Sequence, residues 1–351
     1  MFLLLIIINF IVCIFPLAAV QHPNGFITVA QCKEKNSPVT YLLSESKSKQ
    51  FVLILDKGVV VNEGGIVTKE GKILKDTETY RADQQHLLRG KRNIAEEDPG
   101  FFDGRLAVIS SPGQENWYHW LLQVLPRLKI LADSGVQYDK IYINNLQYPW
   151  QKKSLSIVMK KLGISEDRLF LLAGDAVVEA KTLIVPSVAH MRGSSFPRWY
   201  KQFLQDCFLD KTIKKAKLPT KIYISRSKAT LRRILNEEAL IFFLKDHGFT
   251  VVHLEELSVF EQASLFRNAK VIIGPHGSGF ANLIFSRPKV KVIEIDHGLV
   301  GEQRSCYKRI AELMHCAYLP FFVDVVQEFD LERDIKIDVD AFKRFYQQVK
   351  R

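Results

Sequence analysis

Three glycines, at 274, 277 and 279, surround His276 in the stretch Val271-Ile272-Ile273-Gly274-Pro275-His276-Gly277-Ser278-Gly279-Phe280-Ala281-Asn282-Leu283. An apolar run passes here into a glycine-rich turn and then into a second apolar period, the pattern of a buried strand, a tight turn and a helix start. Glycines at positive φ let backbone N–H groups approach a ligand, and a helix N-terminus adds the positive end of its dipole. The chemistry on offer is anion binding, with a phosphate or diphosphate as the natural guest. Gly277, Ser278 and Gly279 form the cradle in this reading, and His276 and Asn282 add side-chain donors beside it. The glycine spacing is neither the dinucleotide fingerprint nor the P-loop, which sets aside nicotinamide dehydrogenases and P-loop enzymes.

Other residues nearby carry charge toward the same point. Arg226, in Ser225-Arg226-Ser227, follows an apolar run, so a strand would deliver its guanidinium where a diphosphate could be gripped in bidentate fashion. Arg232 and Arg233 precede Asn236-Glu237-Glu238, which reads as a helix capped by Asn236 with two glutamates complementing its dipole. Glu294 sits inside the apolar run Val292-Ile293-Glu294-Ile295, where an unpaired carboxylate would be costly, so it is expected to meet ribose hydroxyls or a nearby arginine.

These residues need elements to hold them, and the hydrophobic periodicity supplies an alternating series. Strands are predicted at Lys221 to Ser225, Thr250 to His253, Lys270 to Gly274 and Lys291 to Asp296, with helices at Asn236 to His247, Val259 to Asn268 and Gly279 to Phe285. An earlier series reads Leu106 to Ile109 strand, Trp117 to Asp133 helix, Lys140 to Asn144 strand, Gln151 to Leu162 helix, Leu183 to Val185 strand and Arg198 to Lys211 helix. Alternation of this kind predicts a parallel sheet in each module, an α/β chain overall. The basic stretch Lys211 to Pro219 reads as the linker. The expected partition is a signal or membrane anchor at 1–20, a β-rich portion at 21–100, a first Rossmann-like domain at 101–210, a second at 220–325 and a tail with a closing helix at 326–351. That helix, Asp340 to Val349, is expected to pack back across the first domain.

Of the 351 residues, 47% are hydrophobic and 25% charged, ordinary for a globular protein, and the net charge of +11 is spread along the chain. Such a charge suits an anionic substrate or a membrane surface; the clustered arginines and interleaved aromatics of a nucleic-acid groove are missing. Phe2 to Val20 carries no charge and a single polar residue, Asn9, long enough for most of a bilayer core of about 30 Å. It reads as an uncleaved anchor, since no basic residue precedes it; the lysines that follow place the rest on the cytoplasmic side of a bacterial inner membrane, or in the secretory lumen of a eukaryote. None of the five cysteines has the C-x-x-C spacing of a zinc or redox site.

Taken in order, Ile224-Ser225-Arg226, Arg233-Ile234-Leu235-Asn236-Glu237, Gly248-Phe249, Leu254-Glu255-Glu256-Leu257-Ser258, Glu261-Gln262, the His276 turn, Asn282-Leu283 and Val292-Ile293-Glu294-Ile295 resemble the catalytic region of glycosyltransferase family 61. Asn116-Trp117-Tyr118-His119-Trp120-Leu121-Leu122-Gln123-Val124-Leu125-Pro126-Arg127-Leu128 is similar to the family's N-terminal signature. The resemblance implies a GT-B architecture, two Rossmann-like domains facing across a cleft, and inverting transfer of a sugar from a nucleotide-sugar to a glycan, a lipid-linked glycan or a protein, with no metal and no further cofactor. Asp338-Val339-Asp340 has the spacing of a metal motif but lies outside the matched region. Donor binding then falls to Arg226, Arg233, Asn236, His276, Gly277, Ser278, Gly279, Asn282 and Glu294. Inversion needs one group to take the acceptor proton. His119, among Trp117, Tyr118 and Trp120 as a sugar-binding wall, is the first candidate, and Glu115 the second. The competing readings are a GT-B-fold binding protein without turnover and a nucleotide-sugar epimerase.

Overall fold

A computed structural model describes residues 26–34, 37–44, 50–61, 65–67, 100–172, 176–188, 196–209, 218–296, 306–323 and 334–350, with the backbone path alone for 26–44, 66 and 67. Phe2 to Val20, nearly all of Thr77 to Gly100 and most of the Lys211 to Pro219 linker lie outside these residues. Among the described residues no helix is long and apolar enough to cross a membrane. The chain divides into two compact units that interleave in sequence, one of Met1–Pro112, Arg127–Asn145 and Ser165–Ala189, the other of Gly113–Pro126, Leu146–Ile164 and His190–Arg351.

The first unit is built on a nine-stranded sheet of β1 (Phe26–Glu34), β2 (Ser37–Ser44), β3 (Phe51–Asp56), β4 (Val59–Val61), β5 (Gly65–Val67), β6 (Gly100–Val108), β7 (Lys140–Asn144), β8 (Leu169–Leu172) and β9 (Val177–Pro186). Its main path runs β1-β2-β3-β9-β6-β7-β8. The expected parallel sheet is only half of it: β9, β6, β7 and β8 are parallel, whereas β1, β2, β3 and β9 pair antiparallel. The β-rich N-terminal portion thus extends the sheet of the alternating segment. Leu53, Leu55, Leu106, Val108, Tyr142, Leu183 and Val185 form its core.

The second unit centres on a five-stranded parallel sheet of β10 (Lys221–Ile224), β11 (Thr250–Val252), β12 (Val271–Pro275), β13 (Lys291–Asp296) and β14 (Ala317–Phe322), in the order β11-β10-β12-β13-β14. Four of these strands are where the hydrophobic runs place them. Strand β14 is the addition. Pro320 lies within it, and proline is tolerated because the strand is at the edge. Order reverses between β10 and β12, the switch point where open α/β sheets bind ligands beyond the carboxyl ends of their strands.

The helical segment from Trp117 is continuous but irregular: α1 (Trp117–His119), a π-turn (Trp120–Val124), then α2 (Leu125–Ser134). Pro126 has no N–H to give to the preceding turn, and the wider π-turn lies immediately ahead of it. Helices α3 (Pro149–Lys161), α4 (Arg198–Phe208), α5 (Glu237–Asp246), α6 (Val259–Asn268), α7 (Cys306–Leu313) and α8 (Val339–Val349) follow. The closing helix α8 departs from expectation. It packs on the second unit, where Phe342 and Tyr346 join Tyr223, Leu240, Leu244 and Ile293 in one core, because its apolar stripe meets the phenylalanines of α5 and β14: Phe342 is edge-on to Phe243 at 6.5 Å and to Phe321 at 5.2 Å. Phe342 is fully buried, so Phe342→Ala is expected to destabilise the protein by about 3–5 kcal/mol, measured by denaturant unfolding; a change below about 1 kcal/mol would make α8 peripheral.

Candidate functional site

A cavity of 830 Å³ opens wholly within the second unit. On one side are Ser225 and Arg226 after β10, the segment Leu254 to Val259 after β11, and Ser278 and Gly279 after β12. On another are Glu115, Asn116 and Trp117 ahead of α1, and Tyr148, Pro149, Trp150 and Lys153 at the start of α3. Its volume falls in the range of small-molecule sites.

The turn after β12 opens a 3-10 helix, Ser278–Phe285, so its first N–H groups have no partner within the helix. The expected positive φ at its glycines is not found. Gly277 is extended at φ 176°, and neither Gly274 nor Gly279 has a positive φ. What these positions require is room. A Cβ on Gly277 would lie 2.3 Å from Arg226 Nη1, and one on Gly279 would lie 2.7 Å from a Leu254 methyl. The turn is therefore shaped by close approach of its backbone to Arg226 and Leu254.

Arg226 lies over this turn. Its Nε donates to the Arg232 carbonyl at 3.3 Å and its Nη2 to the Leu231 carbonyl at 2.8 Å, which leaves Nη1 toward Gly277. Burial, and then the neighbouring Arg232, hold its pKa below the usual arginine value. It remains a cation, since arginine does not deprotonate in proteins. A residue read from sequence as complementing the helix dipole sets its place: buried Glu237 accepts from Tyr223 Oη at 2.7 Å, Ser225 Oγ at 2.9 Å and the Arg226 N–H at 3.3 Å. That carboxylate ties the end of β10 to the start of α5.

Arg233 and Asn236 are not brought into this cavity; they line a separate hollow of 450 Å³. Arg233 forms an exposed ion pair with Asp334, Nη2 to Oδ2 at 2.6 Å, which holds the Asp334 carboxyl below its usual range. Asn236 stands at the N-cap position of α5 but makes no cap hydrogen bond. Its side chain exchanges two bonds with the Ile337 backbone, at 2.8 and 3.0 Å. With the parallel bridge between Ile234 and Ile335, both residues clasp the segment that leads into α8.

His276, Asn282 and Glu294 lie behind the turn and do not line the cavity. Fully buried Glu294 has protein partners in place of ribose or arginine: the His276 ring nitrogen Nδ1 and the Tyr318 hydroxyl. Burial and Glu294 push the Tyr318 hydroxyl far above its ordinary value, so it stays a donor. Asn282 is also fully occupied. Its Oδ1 accepts from Trp117 Nε1 at 3.1 Å, and its Nδ2 donates to Gln262 Oε1 at 2.9 Å and to the Gly279 carbonyl at 3.1 Å. These bonds lock the 3-10 helix to α1 and α6. Ser258 and Glu261 are likewise explained locally, by a capping box at the start of α6.

His276, Glu294 and Asp296 place one nitrogen and two carboxylate ligand atoms within 4.8 Å of one another, all buried, and are the residues that could hold a cation. An ion there would have to displace the hydrogen bonds that Glu294 makes to His276 and Tyr318. The spaced pair at the C-terminus is structural: Asp338 caps α8 by accepting from the Asp340 and Ala341 N–H groups, and Asp340 pairs with Lys343.

Of the two candidates for a proton acceptor, the structure puts Glu115 in the cavity and His119 outside its lining. His119 Nδ1 is 2.5 Å from Gln123 Oε1, four residues along the helical segment. Glu115 is exposed on a pinned backbone, because buried Gln151 of α3 donates to the Gln114 carbonyl at 3.0 Å and Asn116 Oδ1 caps the N–H of Tyr118 at 2.9 Å. The aromatic wall also differs from expectation. Trp120 is fully buried, donating to Ser154 at 2.7 Å, and Tyr118 stands edge-on to Tyr307; the cavity rings are Trp117, Tyr148 and Trp150. Only a tryptophan and a tyrosine ahead of a helix hinted at the last two.

A family model described as Glycosyltransferase 61 matches residues 117–293. The matched span covers the aromatic segment from Trp117, all of α3 and the second sheet from β10 to the first half of β13. No curated protein matches the chain.

Proposed function

We propose, from the premise that the chain belongs to glycosyltransferase family 61, that its 830 Å³ cavity takes a nucleotide-sugar and transfers the sugar with inversion and without a metal. The single observation that carries this reading is the union, in one cavity, of the Arg226 and Ser278–Gly279 turn with Glu115 and an aromatic wall. The family supplies the reaction class, a sugar donor and a glycan or glycoconjugate acceptor. The rest follows from the placement of charge.

A diphosphate leaving group develops negative charge as the glycosidic bond breaks. Arg226 Nη1 and the first N–H groups of the 3-10 helix are assigned to that charge, since both border the turn and preorganised donors of this kind stabilise charge without rearrangement. The segment Leu254 to Ser258 borders the same cavity and is assigned to the nucleoside. His276, Glu294 and Asn282 hold the turn from behind, while Arg233 and Asn236 act at a distance through the clasp on the C-terminal segment. Single displacement then needs one base for the acceptor hydroxyl. Glu255 adds to the field at Arg226, and Glu256 is paired with Lys228. Glu115 is the cavity carboxylate beside the aromatic wall, so it is assigned the proton. A GT-B architecture is part of this reading, with residues 2–20 as a tether that places the enzyme at the cytoplasmic face of a bacterial membrane.

The test is a thermal-shift screen of the full chain with UDP-, GDP- and CMP-sugars, with and without EDTA. Saturation at about 100 times the dissociation constant should stabilise the fold by roughly 2.7 kcal/mol for one nucleotide class, unchanged by EDTA. Loss of the shift on chelation would transfer the leaving-group role to a cation at His276, Glu294 and Asp296, and no shift with any nucleotide would reject the donor reading.

A further inference from the structure

Tyr148 and Trp150 were not expected at the site, and within its aromatic wall they have no assigned ligand. Their rings lie parallel, 7° apart with centroids at 5.4 Å, and Tyr148 is 41% exposed. Trp117 meets Trp150 edge-on at 5.4 Å, and buried Trp120 supports Trp150 at 5.9 Å and 81°. The stack is therefore rigid, backed by core and open on the cavity side.

We propose that this stack is the acceptor subsite and that its occupant is a saccharide; the inference rests on the transferase reading of the same cavity. A pyranose has a face of C–H groups and a rim of hydroxyls. The C–H face lies against an aromatic ring, where weak C–H contacts to the π face and loss of apolar surface from water both favour it. Glu115 and Lys153, which border the same cavity, supply an acceptor and a donor for the rim. A peptide acceptor would call for a row of backbone partners, and rings offer none. The nucleobase is the other flat ligand present, but the nucleotide belongs over the carboxyl ends of β10, β11 and β12. The stack comes from the start of α3, outside that sheet.

The experiment uses the full chain and follows tryptophan emission during titration with xylo-, manno-, galacto- and chito-oligosaccharides and with serine- and threonine-containing peptides, alongside the nucleotide thermal shift. At least one oligosaccharide series is expected to change the emission, with affinity at least about tenfold weaker in Tyr148→Ala and restored in Tyr148→Phe, whose ring is intact. The nucleotide shift should be equal in wild type and Tyr148→Ala. Loss of that shift in Tyr148→Ala would assign the rings to the nucleobase and overturn the proposal, as would a response to peptides alone or to no probe. Absence of any nucleotide shift in wild type would instead fail the donor reading on which the proposal stands.

Discussion

Glu115→Gln is expected to lower turnover by about 10²- to 10⁴-fold, the usual contribution of a positioned general base, while leaving nucleotide affinity within about twofold of wild type. The substitution keeps size and shape and removes only the ability to accept a proton. Nothing in the fold should change, because Glu115 is an exposed residue on a backbone held by Gln151 and Asn116. His119→Ala is the matched comparison. If it costs more turnover than Glu115→Gln at equal folding stability, the proton belongs to His119 and the cavity assignment of Glu115 is wrong. Single-turnover assays at saturating donor separate the two, since they report the chemical step and not acceptor binding alone.

The second large effect is expected at Arg226. Arg226→Ala should reduce turnover by about 10²- to 10³-fold and abolish the stabilisation by nucleotide-sugar, as removal of one preorganised donor to a developing anion does elsewhere. This variant also removes the bonds that hold the Leu231 and Arg232 carbonyls, so a second substitution is needed to isolate position from presence. Gly277→Ala provides it. The new methyl group would lie 2.3 Å from Nη1; the backbone there is extended and accepts alanine without strain, so the guanidinium has to move. Nucleotide affinity should fall at least tenfold with the unfolding midpoint little changed. Wild-type affinity in Gly277→Ala would mean that the Arg226 head can shift without consequence and does not grip the diphosphate.

The sheet of the second unit was legible wherever a strand lies between two others. Val271 to Gly274 and Val292 to Ile295 are apolar on both faces, as central parallel strands are, and the turns after them carry the glycines and charges that the eye can find. Of the edge strands, β11 was legible as Thr250 to His253, but β14 and β8 were not. Strand β14 contains a proline, and β8 is four residues long after a short 3-10 turn, so neither shows the run or the alternation that marks a strand. The site was half visible for a related reason. Residue types gave the turn and Arg226, but partners distant in sequence decided what each group does. Asn236 looks like a cap and is instead held by Ile337, 101 residues away; Glu294 looks like a sugar ligand and is met by His276 and Tyr318. Tyr148 and Trp150 could not be placed at all from sequence, because only the fold sets them beside Glu115.

The bond from Trp117 Nε1 to Asn282 Oδ1 joins residues 165 positions apart. On a ribosome this has a temporal meaning. At about 5–20 residues per second, the tryptophans of the cavity wall emerge roughly 6 to 30 seconds before the turn that receives them. Through that interval the cavity faces of Trp117 and Trp150 have nothing opposite them, and the second unit is the last to close. A gene fragment cut at the linker yields a sheet without its wall, and the nascent chain depends on whatever shields that surface until its final third is made.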